Sequence, residues 1–457
     1  MKKIRSVNPF TEEINGEFDL LTRQEVDREL EKSREAFPGW KALPVRTRME
    51  YFKRLSAVLR KNAGQYAETI TKEMGKPIRL SAQEIERSAS ICDFFAERSA
   101  DFLEDEVVKT AFDMSYVTFE PLGVIFAIMP WNYPVIQLFR FAIPTIAAGN
   151  VVVLKSASNV PMCGKNIESM FSEAAFPEGV FKTLIIDSEM AMDMIRQDKV
   201  DGVSLTGSYA AGSQIGSLAG GGIKKVVLEL GGSDPFIVLD DVNVDKVAQI
   251  AVQNRFVNNG QSCVAAKRFF VMESVAKAFT ESFIHHLNTN VIGDPMDEKT
   301  DIGPLATKGA MADLKAMIDD ARAKGATVIE GPQVPSKGYF MRPVVIVNTN
   351  QSMAIAREET FGPIAPIFVV KDEEEAIEFA NATEFGLGAT VWSSNLDRAE
   401  KIARRIDAGF VAVNRMVKSD PRLPFGGTKK SGIGRELSHY GIREFTNIKT
   451  VIIEKAD

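Results

Sequence analysis

The chain reads as an α/β protein built on parallel sheets and divided into more than one domain. Three observations carry that reading. Short β-branched runs alternate with helical stretches of ten or more residues over most of the length, the pattern of strands joined by helical crossovers. At roughly 150 residues per domain, 457 residues make two or three domains, and a 45% hydrophobic content supports large cores. No tandem repeat or low-complexity linker interrupts the pattern.

In chain order, residues 23–37, 45–73 and 80–104 space their apolar side chains at the helical period among many charges, which predicts three long surface-wrapping helices that act as scaffold. Cys92 falls in the third, beside Phe94 and Phe95, as a core residue. Residues 115–120 alternate as a strand does and meet Pro121-Leu122-Gly123 before a second strand at 124–129. Strands follow at 151–154, 181–186, 203–206, 226–230 and 236–239, most of them separated by helical stretches. They recur at 267–272, 326–330, 364–370, 389–392 and 410–413, with helices between them at 373–380 and 397–406, which predicts a second α/β domain. The run 448–454 is a strong strand without an obvious neighbour, expected to pair with another subunit.

Composition excludes several classes. The net charge of −6 comes from 55 basic and 61 acidic residues mixed along the chain, so no basic stripe marks a nucleic-acid face. The three cysteines, Cys92, Cys163 and Cys263, are too far apart for a disulfide framework or a CxxC metal site, which fits a reducing compartment. With three histidines and no HExxH, a zinc hydrolase is not expected, and no metal is. The N-terminus has charge but no apolar signal core, and the apolar zone 121–154 is broken by Arg140, Pro144 and the Trp131-Asn132-Tyr133-Pro134 turn. A cytoplasmic protein with no membrane or nucleic-acid partner is expected.

Chemistry concentrates in a few places. Residues 253–268 set Cys263 in a short polar loop, Asn258-Asn259-Gly260-Gln261-Ser262, between a helix ending at Val257 and a strand, with nothing nearby built to pack the sulfur away. Glu229 stands in an apolar run directly before Gly231-Gly232, where burial would raise its pKa and make it a usable base; a salt-bridged structural glutamate is the plainer alternative. Asn132, held between Pro130 and Pro134, suits an oxyanion donor, although such turns also use asparagine for conformation alone. Together they supply a nucleophile, a base and an oxyanion donor. There is no GxGxxG and no P-loop; the strand at 203–206 instead runs through Gly207-Ser208 into a helix opened by small residues, where phosphate would find backbone N–H groups. Lys155 ends a strand at the edge where ligands bind in parallel sheets, or is simply solvated.

The motifs PWNYP, KSAS, TGS, ELGGSDP, GQSCVAAKR, EETFGP and PFGGTKKSGIGRE, in that order from residue 130 to 436, resemble those of the aldehyde dehydrogenase superfamily, and most of all its short bacterial NAD(P)-dependent succinate-semialdehyde dehydrogenases. The resemblance spans essentially the whole chain. It implies Cys263 as nucleophile, Glu229 as general base, and Asn132 with the Cys263 backbone N–H as oxyanion hole. It also places Trp131, Lys155, Ser156, Ser158, Gly207, Ser208, Gly212, Leu230, Glu359 and Phe361 at cofactor-contacting positions. Its implied architecture is two parallel-sheet α/β domains plus a small β oligomerisation arm. Residues 1–112 and 122–231 would form the cofactor domain, 232–430 the catalytic domain, and 113–121 with 445–457 the arm of a homodimer or homotetramer.

The implied reaction is oxidation of an aldehyde through a cysteine thiohemiacetal and a thioester, with succinate semialdehyde expected first. Arg140, a cation in an apolar stretch, matches an arginine that relatives use for the substrate carboxylate; a structural ion pair is the alternative. Position 257 is Val where larger relatives carry a second arginine, and position 265 is Ala where some carry a second cysteine. Ser158 replaces the glutamate that many NAD-specific relatives use against a 2′-phosphate, so NADP should be accepted at least as well as NAD, unless Ser158 merely caps a helix. Another small aldehyde as substrate, transfer to coenzyme A, and a non-catalytic scaffold protein are the competing functions.

Overall fold

The structure, a computed structural model, describes residues 2–455, so residue 1 of the first expected segment and residues 456–457 of the last lie outside it. A hairpin of β1 (Lys3–Val7) and β2 (Ile14–Asp19) leads into four helices: α1 (Arg23–Ala42), α2 (Val45–Lys61), α3 (Ala63–Met74) and α4 (Ile78–Phe102). Then come β3 (Glu106–Val107), β4 (Met114–Pro121), β5 (Val124–Met129), α5 (Ile136–Ala147), β6 (Val151–Ser156), α6 (Pro161–Glu173), β7 (Phe181–Thr183), α7 (Ser188–Arg196), β8 (Gly202–Thr206), α8 (Tyr209–Gly221) and β9 (Lys225–Glu229). The chain continues through β10 (Pro235–Val238), α9 (Val244–Phe256), β11 (Arg268–Met272), α10 (Glu273–Asn288), α11 (Gly309–Ala323), β12 (Thr327–Glu330), β13 (Val344–Val347), α12 (Ala354–Arg357), β14 (Ile364–Val370), α13 (Glu373–Asn381), β15 (Gly388–Trp392), α14 (Leu396–Ala403) and β16 (Phe410–Val413). It closes with β17 (Gly432–Ile433), α15 (Ser438–Arg443) and β18 (Thr446–Ile453).

Two sheets organise these elements. The first has the order β17-β9-β8-β5-β6-β7, parallel except for β17. After β5 the chain winds outward to β6 and β7 on one side, then returns to β8 and β9 on the other. The loops after β5, β6 and β8 therefore meet at a topological switch point, where open parallel sheets leave a crevice for ligands. The second has the order β12-β13-β14-β11-β10-β15-β16, parallel except for β12. Residues 230–234 carry the chain from the carboxyl end of β9 straight to the start of β10, which puts the ligand edge of the first sheet against the amino edge of the second.

Burial explains why these runs are strands. Every residue of β10 and β11 is buried, as is nearly every residue of β5 and β6, and so their sequences are continuously apolar rather than alternating. Each fully buried Val, Ile or Phe there contributes about 1.5–3 kcal/mol relative to exposure.

The expected elements need correction at four points. The expected helix 45–73 is two helices, broken at Asn62, whose φ of −108° and ψ of 17° leave the helical well. Helix α1 does not stop at Phe37 but passes through Pro38 to Ala42; Trp40 is buried there and donates from Nε1 to the Ile146 carbonyl at 2.9 Å. Strand β7 stops at Thr183 rather than running to residue 186. Helix α4 is more than scaffold, since its inner face lines the cavity described below.

The terminal strand also differs from expectation. It has a neighbour in its own chain: β18 pairs antiparallel with β4 along its whole length, in a three-stranded sheet of order β18-β4-β3. Among the described residues one edge of β18 has no strand partner, and Ile448, Ile452 and Ile453 of this strand are exposed.

Candidate active site

Cys263 lies in the turn between α9 and β11, at the amino edge of the second sheet. The turn is tight because Asn258, Asn259 and Gly260 all take left-handed backbone conformations, with φ of 53°, 60° and 76°. Asparagine is one of the few side-chain-bearing residues that tolerates this region. At Gly260 a Cβ would come within 2.4 Å of the Gly362 carbonyl oxygen, so only glycine fits.

The polar side chains of the loop fasten it rather than wet it. Asn258 donates to the Asn132 and Gln261 carbonyls at 2.9 and 3.1 Å. Asn259 donates to the Gly75 and Pro304 carbonyls and accepts from the Gly303 N–H, and Gln261 accepts from the Ala306 N–H. Arg255, fully buried on α9, donates to the carbonyls of Ala266, Gly260, Thr360 and Gly362, and burial pushes its guanidinium down to about 9. Lys267, also fully buried, donates to the Cys263 carbonyl and pairs with Glu359 at 3.0 Å.

These bonds fasten the loop rather than the sulfur. Cys263 is half-buried, and burial pushes its thiol up to about 11 against the opposing pull of Arg140 and Lys267. The thiolate is therefore made on demand rather than stored. Cys92 and Cys163 are buried outright, and burial lifts both thiols well above their ordinary range.

Asn132 follows β5 at the ligand edge of the first sheet and reaches the thiol loop, where Nδ2 donates to the Gln261 carbonyl at 3.0 Å. That bond uses one of its two amide hydrogens. Glu229 is the last residue of β9 and is 3% exposed. Neither carboxyl oxygen has a hydrogen-bond partner, and burial followed by the nearby Glu436 carboxyl raises its pKa well above the usual range. It is not the salt-bridged structural glutamate of the plainer reading.

Arg140, on α5, lies between these groups. Its Nε is 2.8 Å from Glu436 Oε2 but off the N–H direction, so the contact is a charge pair, and its guanidinium stacks 4.1 Å above the Phe425 ring. Burial opposes its charge, yet Glu436, Cys263 and Glu229 together hold the guanidinium above its usual range. An ion pair and a place on the cavity wall thus coexist in one residue, and Nη2 has no partner.

A cavity of about 180 Å³ has Cys263, Ser262, Tyr133, Arg140, Arg87 and Lys418 among its lining. That is an order of magnitude more than one water needs. Val257, apolar, lines the same space.

The expected cofactor residues gather at the switch point of the first sheet. Lys155 and Ser156 end β6, Gly207 and Ser208 follow β8, and Ser208 accepts from the Ala211 N–H at the start of α8. Gly212, on the first turn of α8, lies so close to Leu230 that a Cβ would meet its methyls at 2.5 and 2.6 Å. Trp131 and Phe361 meet edge to face at 5.8 Å. Glu359 is committed to Lys267 and to the Gly232 N–H at 3.2 Å. Ser158 is exposed and caps nothing: α6 starts at Pro161, its cap position is Val160, and no side chain caps it, which removes the plainer reading of that serine.

A dinucleotide fits this shelf by the chemistry of its donors. The buried Thr206 hydroxyl and the Asn159 amide nitrogen have no partner, and the Lys155 ammonium, lowered by burial, donates only to the Ser156 carbonyl at 3.3 Å. Among the described residues no group of three potential metal ligands occurs, and no helix is long and apolar enough to cross a membrane.

Sequence reasoning missed Lys267, Asp234, Glu436, Arg255, Arg87 and Lys418. One of them carried a signal, since Lys267 stands beside Arg268 as adjacent charges at the start of an apolar strand. Asp234 is 4% exposed, and burial pushes its carboxyl up to about 7, with Lys267 opposing the rise.

Comparison with known proteins agrees with this geometry. The family model described as "Aldehyde dehydrogenase family" matches residues 1–451. The chain is 44% identical over 451 residues to a Synechocystis protein named "Probable succinate-semialdehyde dehydrogenase" (NADP+), covering 98% of this chain and 99% of that one. It is 40% identical over 447 residues to the Escherichia coli K12 succinate semialdehyde dehydrogenase (NAD(P)+) Sad, covering 98% and 97%. A crystal structure of a succinic semialdehyde dehydrogenase from Streptococcus pyogenes, in complex with NADP+, superposes with a TM-score of 0.96 at 35% identity, covering 99% of this chain and 100% of that one.

Proposed function

Because the chain belongs to the aldehyde dehydrogenase family, and so is an oxidoreductase acting on aldehydes, we propose that its substrate is succinate semialdehyde, oxidised to succinate with NADP+ or NAD+. The observation that carries the proposal is a cavity with a cysteine among its lining and cationic side chains on its walls. Such a space suits a short aldehyde that bears a carboxylate.

The Cys263 thiol gives up its proton and Sγ attacks the aldehyde carbon. The oxyanion is met by the free amide hydrogen of Asn132 and by the Cys263 backbone N–H, which act without reorganising. Trp131, Lys155, Ser156, Ser158, Gly207, Ser208, Gly212, Leu230, Glu359 and Phe361 would hold the nicotinamide cofactor in the crevice, where it would accept the hydride lost from the Cys263-bound carbon as the thiohemiacetal becomes a thioester. The Cys263 thioester is then hydrolysed. Glu229 takes a proton from the attacking water, and its raised pKa makes it a strong base for that step once ionised. Arg140 steadies both ends of this sequence, because its charge favours the Cys263 thiolate and the Glu229 carboxylate alike. It also stands on the cavity wall as one candidate partner for the substrate carboxylate.

Residues 1–112 and 122–231 serve as the cofactor domain, 232–430 as the catalytic domain, and 113–121 with 445–457 as an arm for a homodimer or homotetramer. The exposed isoleucines on the open edge of β18 support that arm. A cytoplasmic setting suits a catalytic thiol that must stay reduced.

The assay is growth of reduced-cofactor absorbance with succinate semialdehyde and with butanal, without coenzyme A. Clear preference for the semialdehyde supports the reading, and equal kcat/KM for the two would sink the substrate assignment. A requirement for coenzyme A would sink the hydrolytic step.

A further inference from the structure

The cavity beside Cys263 carries more positive charge than its surroundings neutralise. Three cations line it: Arg140, Arg87 and Lys418. Arg140 has Glu436 as its partner. The only carboxylate in the lining is Glu84, one turn before Arg87 on α4, and both of its oxygens are occupied. Its Oε2 holds the fully buried Lys76, and its Oε1 accepts the Val135 and Ile136 N–H groups at the start of α5, at 2.9 and 3.1 Å.

Arg87 has no such partner. Its one hydrogen bond goes from Nη2 to the Ser419 hydroxyl at 2.9 Å, and among the described residues no carboxylate lies within ion-pair distance of it. The charges acting on it are Tyr133, Arg140 and Glu84, after burial, which lowers its pKa. Lys418 stands next to Ser419 on the returning loop. Arg87 is the largest influence on Lys418, followed by burial and Arg415, and all three lower its ammonium. The nearest acid along the chain, Asp420, is held by both arms of Arg422.

Arg140, Arg87 and Lys418 line the same cavity as Cys263, and Arg87 hydrogen-bonds the residue next to Lys418. Arg87 is half-buried and Lys418 exposed, and two like charges near enough for one to lower the other favour an anion between them. A guanidinium with free N–H groups matches a carboxylate in two-pronged fashion.

We propose that Arg87, with Lys418 as its second cation, receives the carboxylate of the substrate in the cavity beside Cys263. Arg140 then acts as a positioning residue, holding Glu436 and favouring the thiolate, rather than as the principal carboxylate anchor. The inference rests on the proposed succinate semialdehyde activity and specifies which side chains read that carboxylate.

The test compares kcat/KM for succinate semialdehyde and for butanal in wild type, Arg87→Met, Arg87→Lys, Lys418→Met and Arg140→Met. Inhibition by added succinate is measured in the same proteins. The expected result is that Arg87→Met lowers the semialdehyde-to-butanal ratio at least tenfold, chiefly through KM, and weakens succinate inhibition in parallel. Arg87→Lys should recover part of the ratio, and Lys418→Met should lower it several-fold. Arg140→Met should lower both substrates together. A ratio unchanged in Arg87→Met and Lys418→Met, or one that collapses only in Arg140→Met, overturns the assignment. Should Arg87→Met fail to fold, the Lys418→Met and Arg87→Lys ratios still decide. A wild-type ratio near one would instead overturn the substrate reading itself, and the inference would fall with it.

Discussion

The two walls of the cleft are built by opposite means. On the thiol side, the side chains are tied to the protein's own backbone: Asn258, Asn259, Gln261, Arg255 and Lys267 all bond to it, and three successive left-handed residues fix the turn. On the shelf formed by β6 and β8, the Thr206 hydroxyl and the Asn159 amide nitrogen have no partner, Lys155 makes one long bond, and Ser158 is exposed. The first arrangement fixes a reacting atom in place, as preorganised sites require. The second keeps donors free for a ligand that comes and goes. A change on the thiol side should thus alter chemistry or stability, and a change on the shelf should alter which ligand is accepted.

The comparison is broken most severely at the sulfur. Cys263→Ala should lower turnover by at least about a thousandfold while cofactor binding, followed by nucleotide fluorescence, stays near wild type. Parallel loss of binding would mean that the two walls are not independent.

Glu229→Gln comes next. Hydride transfer precedes the step that needs this carboxyl, so a burst of one reduced cofactor per site should be followed by turnover at least tenfold slower. Normal steady-state turnover would assign the base elsewhere.

Third, Arg255→Met frees four buried carbonyls from their donor, at a cost of about 2–4 kcal/mol after relief of the buried charge. Tm should fall by several degrees, with activity lost because the turn loosens. An unchanged Tm would show that the loop is not held from α9.

A subtler arm is acid–base. The Cys263 thiol sits at about 11 with Arg140 pulling it down, so kcat/KM should rise with pH through the neutral range, and Arg140→Met should push that rise to higher pH. Superimposable profiles would remove Arg140 from control of the thiol. Asp234 contributes to stability in the opposite direction. Its folded value of about 7 lies above the ordinary value of 3.8, so folding favours the protonated form. The stabilisation is complete below the unfolded pKa and is lost as pH rises through about 7. Asp234→Asn should therefore flatten the decline in Tm between about pH 5 and 8.

The smallest effect belongs to the shelf. Ser158→Glu should cut kcat/KM with NADP+ about tenfold relative to NAD+, equivalent to about 1.4 kcal/mol of restored repulsion toward the 2′-phosphate. Equal losses with both cofactors would take Ser158 out of cofactor choice.

Sequence alone exposed one half of this contrast better than the other. Buried parallel strands such as β5 and β6 are continuously apolar and so were readable, and Glu229 stood out because a carboxylate interrupts such a run. The break at Asn62 was hidden because apolar spacing runs through it without a proline. The fastening of the thiol loop was hidden because Asn258 and Asn259 look like surface residues until their carbonyl partners arrive from residues 75, 132 and 304. Arg87 had no local mark at all. Its significance depends on Ser419, 332 residues further on.

The pairing of β17 with β9 makes the surroundings of Glu229 depend on a segment far along the chain. Gly432 sits opposite Glu229, the Leu230 N–H donates to the Ser431 carbonyl at 2.9 Å, and the Ser431 hydroxyl donates to the Gly231 carbonyl at 2.7 Å. Gly426 lies so close that a Cβ would reach within 2.6 Å of the Glu229 carboxyl. The wall that dries this carboxyl is thus synthesised some two hundred residues after the carboxyl itself. Until that later segment packs against β9, the Glu229 carboxyl has water on this side, and the burial that raises its pKa is incomplete.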